Sequence, residues 1–254
     1  MISLVLSGGS AWGLAHIGVI EVLQENDIGF DLIVGTSAGA IVGALFAAGV
    51  STDEMRSLGR NLSWSSLGDL TLPRLGVFDS SDIQKVLEEC IGAHPTFDNL
   101  QTDLRVVAAD ISTGERVVFS EGPVAFAVRA SASIPVVFAP VEYEDMLLLD
   151  GGLVDNLPVD VALEAGAERI IAVQLSDYPA QRRPGNMVEV AHRALMIMQR
   201  ARMKEAAASA DVLIRPRLKG VSPTDLDADE VLIEQGRRAA TAHLDKIRKV
   251  VADV

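Results

Sequence analysis

The sequence predicts an α/β protein: a single three-layer domain over residues 1–254, with a mainly parallel central sheet and helices on both faces. Three observations predict it. Short aliphatic runs alternate with longer segments of helical spacing along the whole chain. Apolar residues make up 49% of the 254 positions and aromatics only 4%, so the core has to be aliphatic and alanine-rich. That mix suits a helix-covered parallel sheet better than a β-sandwich. No internal repeat, low-complexity segment or linker interrupts the pattern.

Residues 2–7 (ISLVLS) make the first β-type run, closed by Gly8-Gly9. Leu14, Ile17, Ile20 and Leu23 then mark a helix over 14–26. A strand from Asp31 to Val34 ends at Gly35, and an apolar helix follows from Ala38 to Ala48, stopped by Gly49. This order is a βαβ unit, with parallel strands and a right-handed connection expected. Ser51 and Glu54 form a capping box for a short helix. Residues 62–78 (LSWSSLGDLTLPRLGVF) have neither helical nor strand periodicity but carry eight large apolar side chains. Two roles are open to them: an acyl-chain or membrane contact, or a core plug beneath a long connection.

Ser80 is placed to cap a helix reaching Ile91. Leu104–Asp110 and Glu115–Ser120 pair around the turn Ser112-Thr113-Gly114. A helix over 123–131 leads to Ser133-Ile134-Pro135 and an apolar strand, and Met146–Leu149 is a strand delivering Asp150. A helix at 158–165, a strand at 169–175, a long helix over 187–209, a strand at 211–215 and one helix over 228–251 complete the alternation. Met196, Met198 and Met203 in the long helix are expected to fill the core.

The formal net charge of −13 argues against nucleic-acid binding. The charge is uneven. Residues 1–180 hold 8 of the 22 Lys and Arg but 25 of the 35 acids, whereas residues 181–254 hold 14 bases against 10 acids. Solvated helix faces account for the basic third, with a basic docking surface as the alternative. Cys90 is the single cysteine, which excludes an internal disulfide and a cysteine-built metal site. The apolar start lacks the cationic flank of a signal peptide, and no segment has the ~18 apolar residues of a membrane span. A soluble cytoplasmic protein is expected, with peripheral membrane contact left open.

Chemistry concentrates in three motifs. Gly35-Thr36-Ser37-Ala38-Gly39 is a G-x-S-x-G between a strand and a helix. Such a turn crowds the backbone, so small residues at Gly35 and Gly39 flank a serine held out at the sheet edge. Gly8-Gly9-Ser10-Ala11-Trp12-Gly13 also joins a strand to a helix, and exposes backbone N–H groups to an anion. A dinucleotide pyrophosphate would want glycine where Ser10 stands, and no Walker lysine follows. If the first two strands are parallel neighbours, both loops leave one sheet edge and the donors face Ser37 as an oxyanion hole. Asp150, ending a strand before Gly151-Gly152, is the candidate base. No spacing of His, Asp and Glu suits a metal.

The three motifs together, in this order and spacing, resemble the patatin-like phospholipase family, and the similarity extends through Arg129-Ala130-Ser131-Ala132-Ser133-Ile134-Pro135. The resemblance implies a Ser–Asp dyad without histidine, acting on lipid acyl esters with no cofactor. On that pattern Ser37 is the nucleophile, Asp150 the general base, and the loop of Gly8, Gly9, Ser10 and Ala11 the oxyanion hole. Ser10 and Trp12 depart from the family's usual third glycine and following cation. Backbone donors survive both changes, whereas the missing cation removes any help to an anionic head group. A triad using His192 or His243 is the rival arrangement, since both follow Asp150 in the chain. His16 and His94 sit in a helix and a connection. A catalytically silent regulatory module on the same fold is the rival function.

Overall fold

Alternate residues of the first strand, β1 (Ile2–Leu6), enter two different cores: Leu4 and Leu6 one, Val5 the other. This side-to-side alternation is the period of two of any strand, and here both faces are apolar. The same division recurs in β2 (Leu32–Thr36), where Ile33 faces the larger core and Leu32 and Val34 the smaller. The sheet is therefore covered on both sides. These relations come from a computed structural model, which describes residues 1–61, 78–92, 94–175 and 187–252 together with Arg183 and Gly185.

β1 and β2 pair in parallel, with Leu6 opposite Gly35. Outward from β2 come β3 (Asp103–Asp110), parallel, then β6 (Met146–Asp150) and β5 (Val141–Tyr143), both antiparallel to their neighbours. On the other side of β1 lie β7 (Arg169–Val173) and β8 (Val212–Ile214), both parallel, while β4 (Arg116–Phe119) runs antiparallel along β3. The order β5-β6-β3-β2-β1-β7-β8 is thus parallel at its centre and antiparallel at one edge.

The larger core receives α1 (Leu14–Gln24), α2 (Ala38–Ala47), α5 (Val124–Ser131), α8 (Asp229–Thr241) and α9 (Leu244–Ala252), with α3 (Thr52–Asn61) and α4 (Ser81–Ile91) beside them. The smaller core receives α6 (Val159–Glu164) and α7 (Met187–Ala208) through Val161, Ala162, Met203 and Ala207. α1 and α8 touch backbone to backbone. A Cβ on Gly18 would stand 1.9 Å from the Ile233 carbonyl oxygen, and one on Gly236 would stand 2.0 Å from that of Ala15. Glu21 of α1 then bonds Arg56 of α3 and Arg237 of α8. Burial alone would push the Glu21 carboxyl up, yet these two cations hold it below the usual range.

The capping box at Ser51 and Glu54 forms as expected, and so does the hairpin of β3 and β4. Four expectations change. The Ser80 hydroxyl does not cap α4, because it is engaged by Ser133 and Arg129, and Asp79 Oδ1 accepts the Ser81 N–H instead. The apolar run after Pro135 is not a strand. Val136 has φ 72°, which breaks an extended path, and only a bridge between Phe78 and Phe138 remains before β5. The helix expected over 228–251 is two helices. Thr241 Oγ1 and the His243 ring bond the Arg237 and Ala239 carbonyls there, ending the last turn of α8. Met198 is not core but 77% exposed, whereas Met203 is buried. The apolar segment 62–77, including Trp64, Leu70 and Leu72, lies outside the described residues.

The close crossing of α1 and α8 leaves no room for a methyl group. Gly236→Ala is expected to cost about 1–3 kcal/mol in urea unfolding, as overpacking does, although alanine is the better helix former. An unchanged midpoint would show that the two helices can part without loss.

Candidate active site

β2 delivers Ser37 into a turn that only a short stretch of backbone can make. Ser37 has φ 55° and ψ −123°, and α2 begins at the next residue. A Cβ on Gly39 would meet the Leu6 carbonyl oxygen at 2.2 Å, and one on Gly35 would meet that of Gly39 at 2.6 Å. The two glycines of G-x-S-x-G are therefore required by space. Positive φ at a serine costs on the order of 1–3 kcal/mol and persists only where neighbours enforce it. Ser131 is such a neighbour: its Oγ accepts the Ser37 N–H at 2.8 Å and donates to the Val107 carbonyl at 2.5 Å.

The carboxylate arrives through β3. Val107 lies opposite Thr36 of β2, and the next residue, Ala108, lies opposite Asp150 of β6. Adjacent residues of one strand thus set the positions of Ser37 and Asp150. Ser37 Oγ donates to Asp150 Oδ2 at 2.5 Å, and Asp150 Oδ1 accepts the Gly152 N–H at 2.8 Å. Burial pushes the Asp150 carboxyl up to about 6, although both hydrogen bonds pull it the other way. This carboxylate is ionised at neutral pH and more basic than one in water.

Because β1 and β2 are parallel neighbours, the glycine loop leaves the same end of the sheet as Ser37. A Cβ on Gly8 would stand 3.1 Å from Ser37 Cβ. Of the four residues expected to donate to an oxyanion, two give their N–H groups away. Gly8 N–H goes to the Asn156 carbonyl at 3.1 Å and Ala11 N–H to that of Pro223 at 3.0 Å. The N–H groups of Gly9 and Ser10 have no partner among the described residues. Ser10 holds φ 54°, a region that favours glycine, at the position where the family's usual loop has one. Trp12 is buried, and its indole N–H donates to the Val221 carbonyl at 3.1 Å. It therefore ties the loop to residues 218–224 while one side of it lines the site.

Two clefts meet at Ser37, Ser10 and Ile134. The larger, about 130 Å³, is apolar and is walled by Leu14, Ile17, Ile41, Leu45, Met55 and Leu87. Its walls come from α1, α2, α3 and α4. The smaller, about 50 Å³, holds the polar groups of Asn156 and Gln199 beside Leu195 and Met196 of α7. Cys90 lies half-buried at the larger cleft rather than deep in the core.

Three of the four histidines stand apart from this centre. His16 is fully buried and Nε2 lies 2.8 Å from the Ser7 carbonyl, which can only accept, so the proton sits on Nε2. Burial pushes its pKa down to about 4, so the ring is neutral. His94 is exposed beside Glu88, and the His243 ring bonds the Ala239 carbonyl of α8. None of these three contacts Ser37 or Asp150, and the His192 side chain lies outside the described residues. No group of His, Cys, Asp and Glu that could hold a metal occurs among the described residues.

Sequence reasoning gave no role to Ser131, Asn156, Asp155, Leu195 or Gln199. Asp155 is buried behind the site. Its carbonyl accepts the Thr36 hydroxyl and its carboxylate pairs with Arg116, which also holds Asp160 and Glu164. Burial, then the hydrogen bond shared with Asp160, pushes the Asp155 carboxyl up. Its side chain engages Arg116, leaving Asp150 as the carboxylate on Ser37.

Comparison with known proteins gives the family and the fold. The model of the patatin-like phospholipase family matches residues 4–163, a span containing Ser37 and Asp150. An uncharacterized NTE family protein of Mycobacterium tuberculosis is 36% identical over 176 residues, 68% of this chain and 30% of its own length. The patatin-like phospholipase domain-containing protein 6 of Mus musculus is 32% identical over 182 residues, 68% of this chain and 13% of its own. The chain thus spans less than a third of either relative. Among solved structures, VipD from Legionella pneumophila superposes with a TM-score of 0.65 at 16% identity, covering 96% of this chain and 66% of that one. The chain belongs to the patatin-like phospholipase family.

Proposed function

We propose that the chain hydrolyses acyl esters of lipids, with Ser37 as nucleophile and Asp150 as general base. The observation that carries this reading is the 2.5 Å hydrogen bond from Ser37 Oγ to a buried, basic carboxylate where two clefts meet. The serine proton already points at its acceptor. Ser37 Oγ attacks the ester carbonyl carbon and its proton passes to Asp150. The oxyanion forms against the N–H groups of Gly9 and Ser10 and near the N-terminus of α2. As the tetrahedral centre collapses, the C–O bond to the alcohol breaks and Asp150 returns the proton to that oxygen. Water then attacks the acyl-Ser37 ester, Asp150 takes its proton, and collapse frees the acid and restores the serine hydroxyl.

The shapes of the clefts support a substrate with two unlike ends. The apolar cleft fits an acyl chain, and the smaller cleft, with Asn156 and Gln199, fits the alcohol portion of a phospholipid or lysophospholipid. The position of Trp12, buried and hydrogen-bonded beside the cleft, leaves both spaces open, so the silent-module reading gains nothing from it.

Ser37→Ala and Asp150→Asn are each expected to remove hydrolysis of a short-chain p-nitrophenyl ester, by about three orders of magnitude or more. His16→Gln, His94→Ala and His243→Ala should lose far less. A comparable loss in His192→Ala or His243→Ala with the fold intact would sink the dyad.

Asp150 also has a stability signature. Its pKa in the folded chain is about 6, above the ~3.9 of a free carboxyl, so its contribution to folding is fully present below about pH 4 and lost as pH rises through about 6. The shift corresponds to about 3 kcal/mol at pH 8. Asp150→Asn should therefore be the more stable protein at pH 8 by about 1–3 kcal/mol, with the gain vanishing near pH 4. Chemical unfolding at the two pH values checks this, and equal effects at both would refute it.

Ile41, half-buried in the wall of the apolar cleft, can shorten it. In Ile41→Trp, hydrolysis of long-chain esters should fall about fourfold for each methylene excluded, at about 0.8 kcal/mol per methylene, with short-chain esters spared. Equal loss on both lengths would remove the acyl chain from this cleft.

A further inference from the structure

Helix α7 is apolar on two opposite faces. Its inner face meets the smaller core through Met203 and Ala207 and lines the catalytic cleft through Leu195, Met196 and Gln199. The outer face carries Met187, Val190, Ala194, Ile197, Met198 and Ala201, spaced by three and four residues into a stripe along the helix. Met187, Val190, Ile197 and Met198 are 80%, 52%, 55% and 77% exposed. They are four of the nine exposed large apolar residues among the described part of the chain. A soluble helix ordinarily hides one apolar face and wets the other.

The flanks of the stripe are cationic. Arg193, Arg200 and Lys204, at spacings of seven and four, run down one side, and Arg202, which also lies 3.8 Å from Asp160, stands on the other. α7 itself holds Arg193, Arg200, Arg202 and Lys204 against Glu189 and Glu205, a basic balance in a chain whose net charge is −13. An acidic protein is repelled by an anionic surface unless it turns a basic side toward it.

We propose that the outer face of α7 seats the protein on an anionic lipid bilayer, with the stripe in the acyl boundary and the flanking cations among the head groups. An apolar stripe bordered by Lys and Arg is the pattern of a helix lying in a membrane interface. Two copies pairing through this face would set cation against cation, because both flanks are basic. The inner side of the same helix lines the cleft that holds Ser37, so docking holds that cleft one helix diameter, about 10 Å, from the lipid surface. The inference deepens the lipid-ester reading and rests on it for its purpose, but binding is measurable without catalysis.

The test is cosedimentation of the full chain with vesicles of phosphatidylcholine and phosphatidylglycerol in equal parts, beside vesicles of phosphatidylcholine alone. Ser37→Ala is the parent, so that no lipid is consumed. The parent should bind the anionic vesicles, more weakly as salt rises. The double variant Ile197→Asp, Met198→Asp should lose about tenfold or more in binding, and Lys204→Gln about fivefold. These side chains face outward, so circular dichroism and melting should not change. With Ser37 restored, the double variant should hydrolyse vesicle lipid poorly and a soluble short-chain ester normally. Undiminished binding by the double variant would overturn the proposal. So would a parent that ignores anionic vesicles, including one that is a dimer the double variant splits, which would give the face to a second copy. Vesicle binding that depends on the stripe in a chain inactive on soluble ester would support docking and overturn the hydrolase reading alone.

Discussion

Everything at the candidate site depends on the hydrogen bond between Ser37 and Asp150, and that bond depends on the register of β3. Thr36 and Asp150 belong to strands far apart in the chain, yet they face neighbouring residues, Val107 and Ala108. A slip of one residue in either pairing would turn every side chain of that strand to the opposite face. The register is secured by burial on both faces of β2 and of most of β3. Val107 contributes twice more, packing in the smaller core and offering its carbonyl to Ser131, which in turn holds the Ser37 N–H. The strained serine is thus enforced by the strand that positions its partner.

Burial gives the carboxylate its basicity and makes the folded state pay for it. Out of water Asp150 rises to about 6, close enough to neutrality to suit the base proposed for it. The two hydrogen bonds it accepts keep it from rising further. His16 illustrates the other outcome of burial: a lowered pKa, a neutral ring and one fixed proton, spent on the Ser7 carbonyl at the root of the glycine loop. On the proposed reading one buried group moves a proton, while the other holds a turn.

Much of this was legible in the sequence because it is written in short-range steric terms. A glycine-flanked serine between a strand and a helix has few conformations available, and the structure finds Gly35 and Gly39 packed against backbone where a Cβ would collide. The parallel pairing of β1 and β2 followed from the βαβ order. What the sequence hid depends on long-range choices. That Gly8 and Ala11 spend their N–H groups on Asn156 and Pro223 depends on segments over 140 residues away. The Ser80 hydroxyl follows Ser133 rather than its own helix for the same reason. Helical spacing also could not say which of the two apolar faces of α7 would be covered, so Met198 was assigned to the core although it faces out.

The central claim is that Ser37 is activated by Asp150 alone. The most direct measurement is the pH dependence of covalent labelling by a fluorophosphonate, with the modified residue located by mass spectrometry. The account predicts labelling at Ser37 at a rate that falls with a single protonation near pH 6, and near-complete loss of labelling in Asp150→Asn. A label on another residue, or an unchanged rate and pH profile in Asp150→Asn, would contradict it.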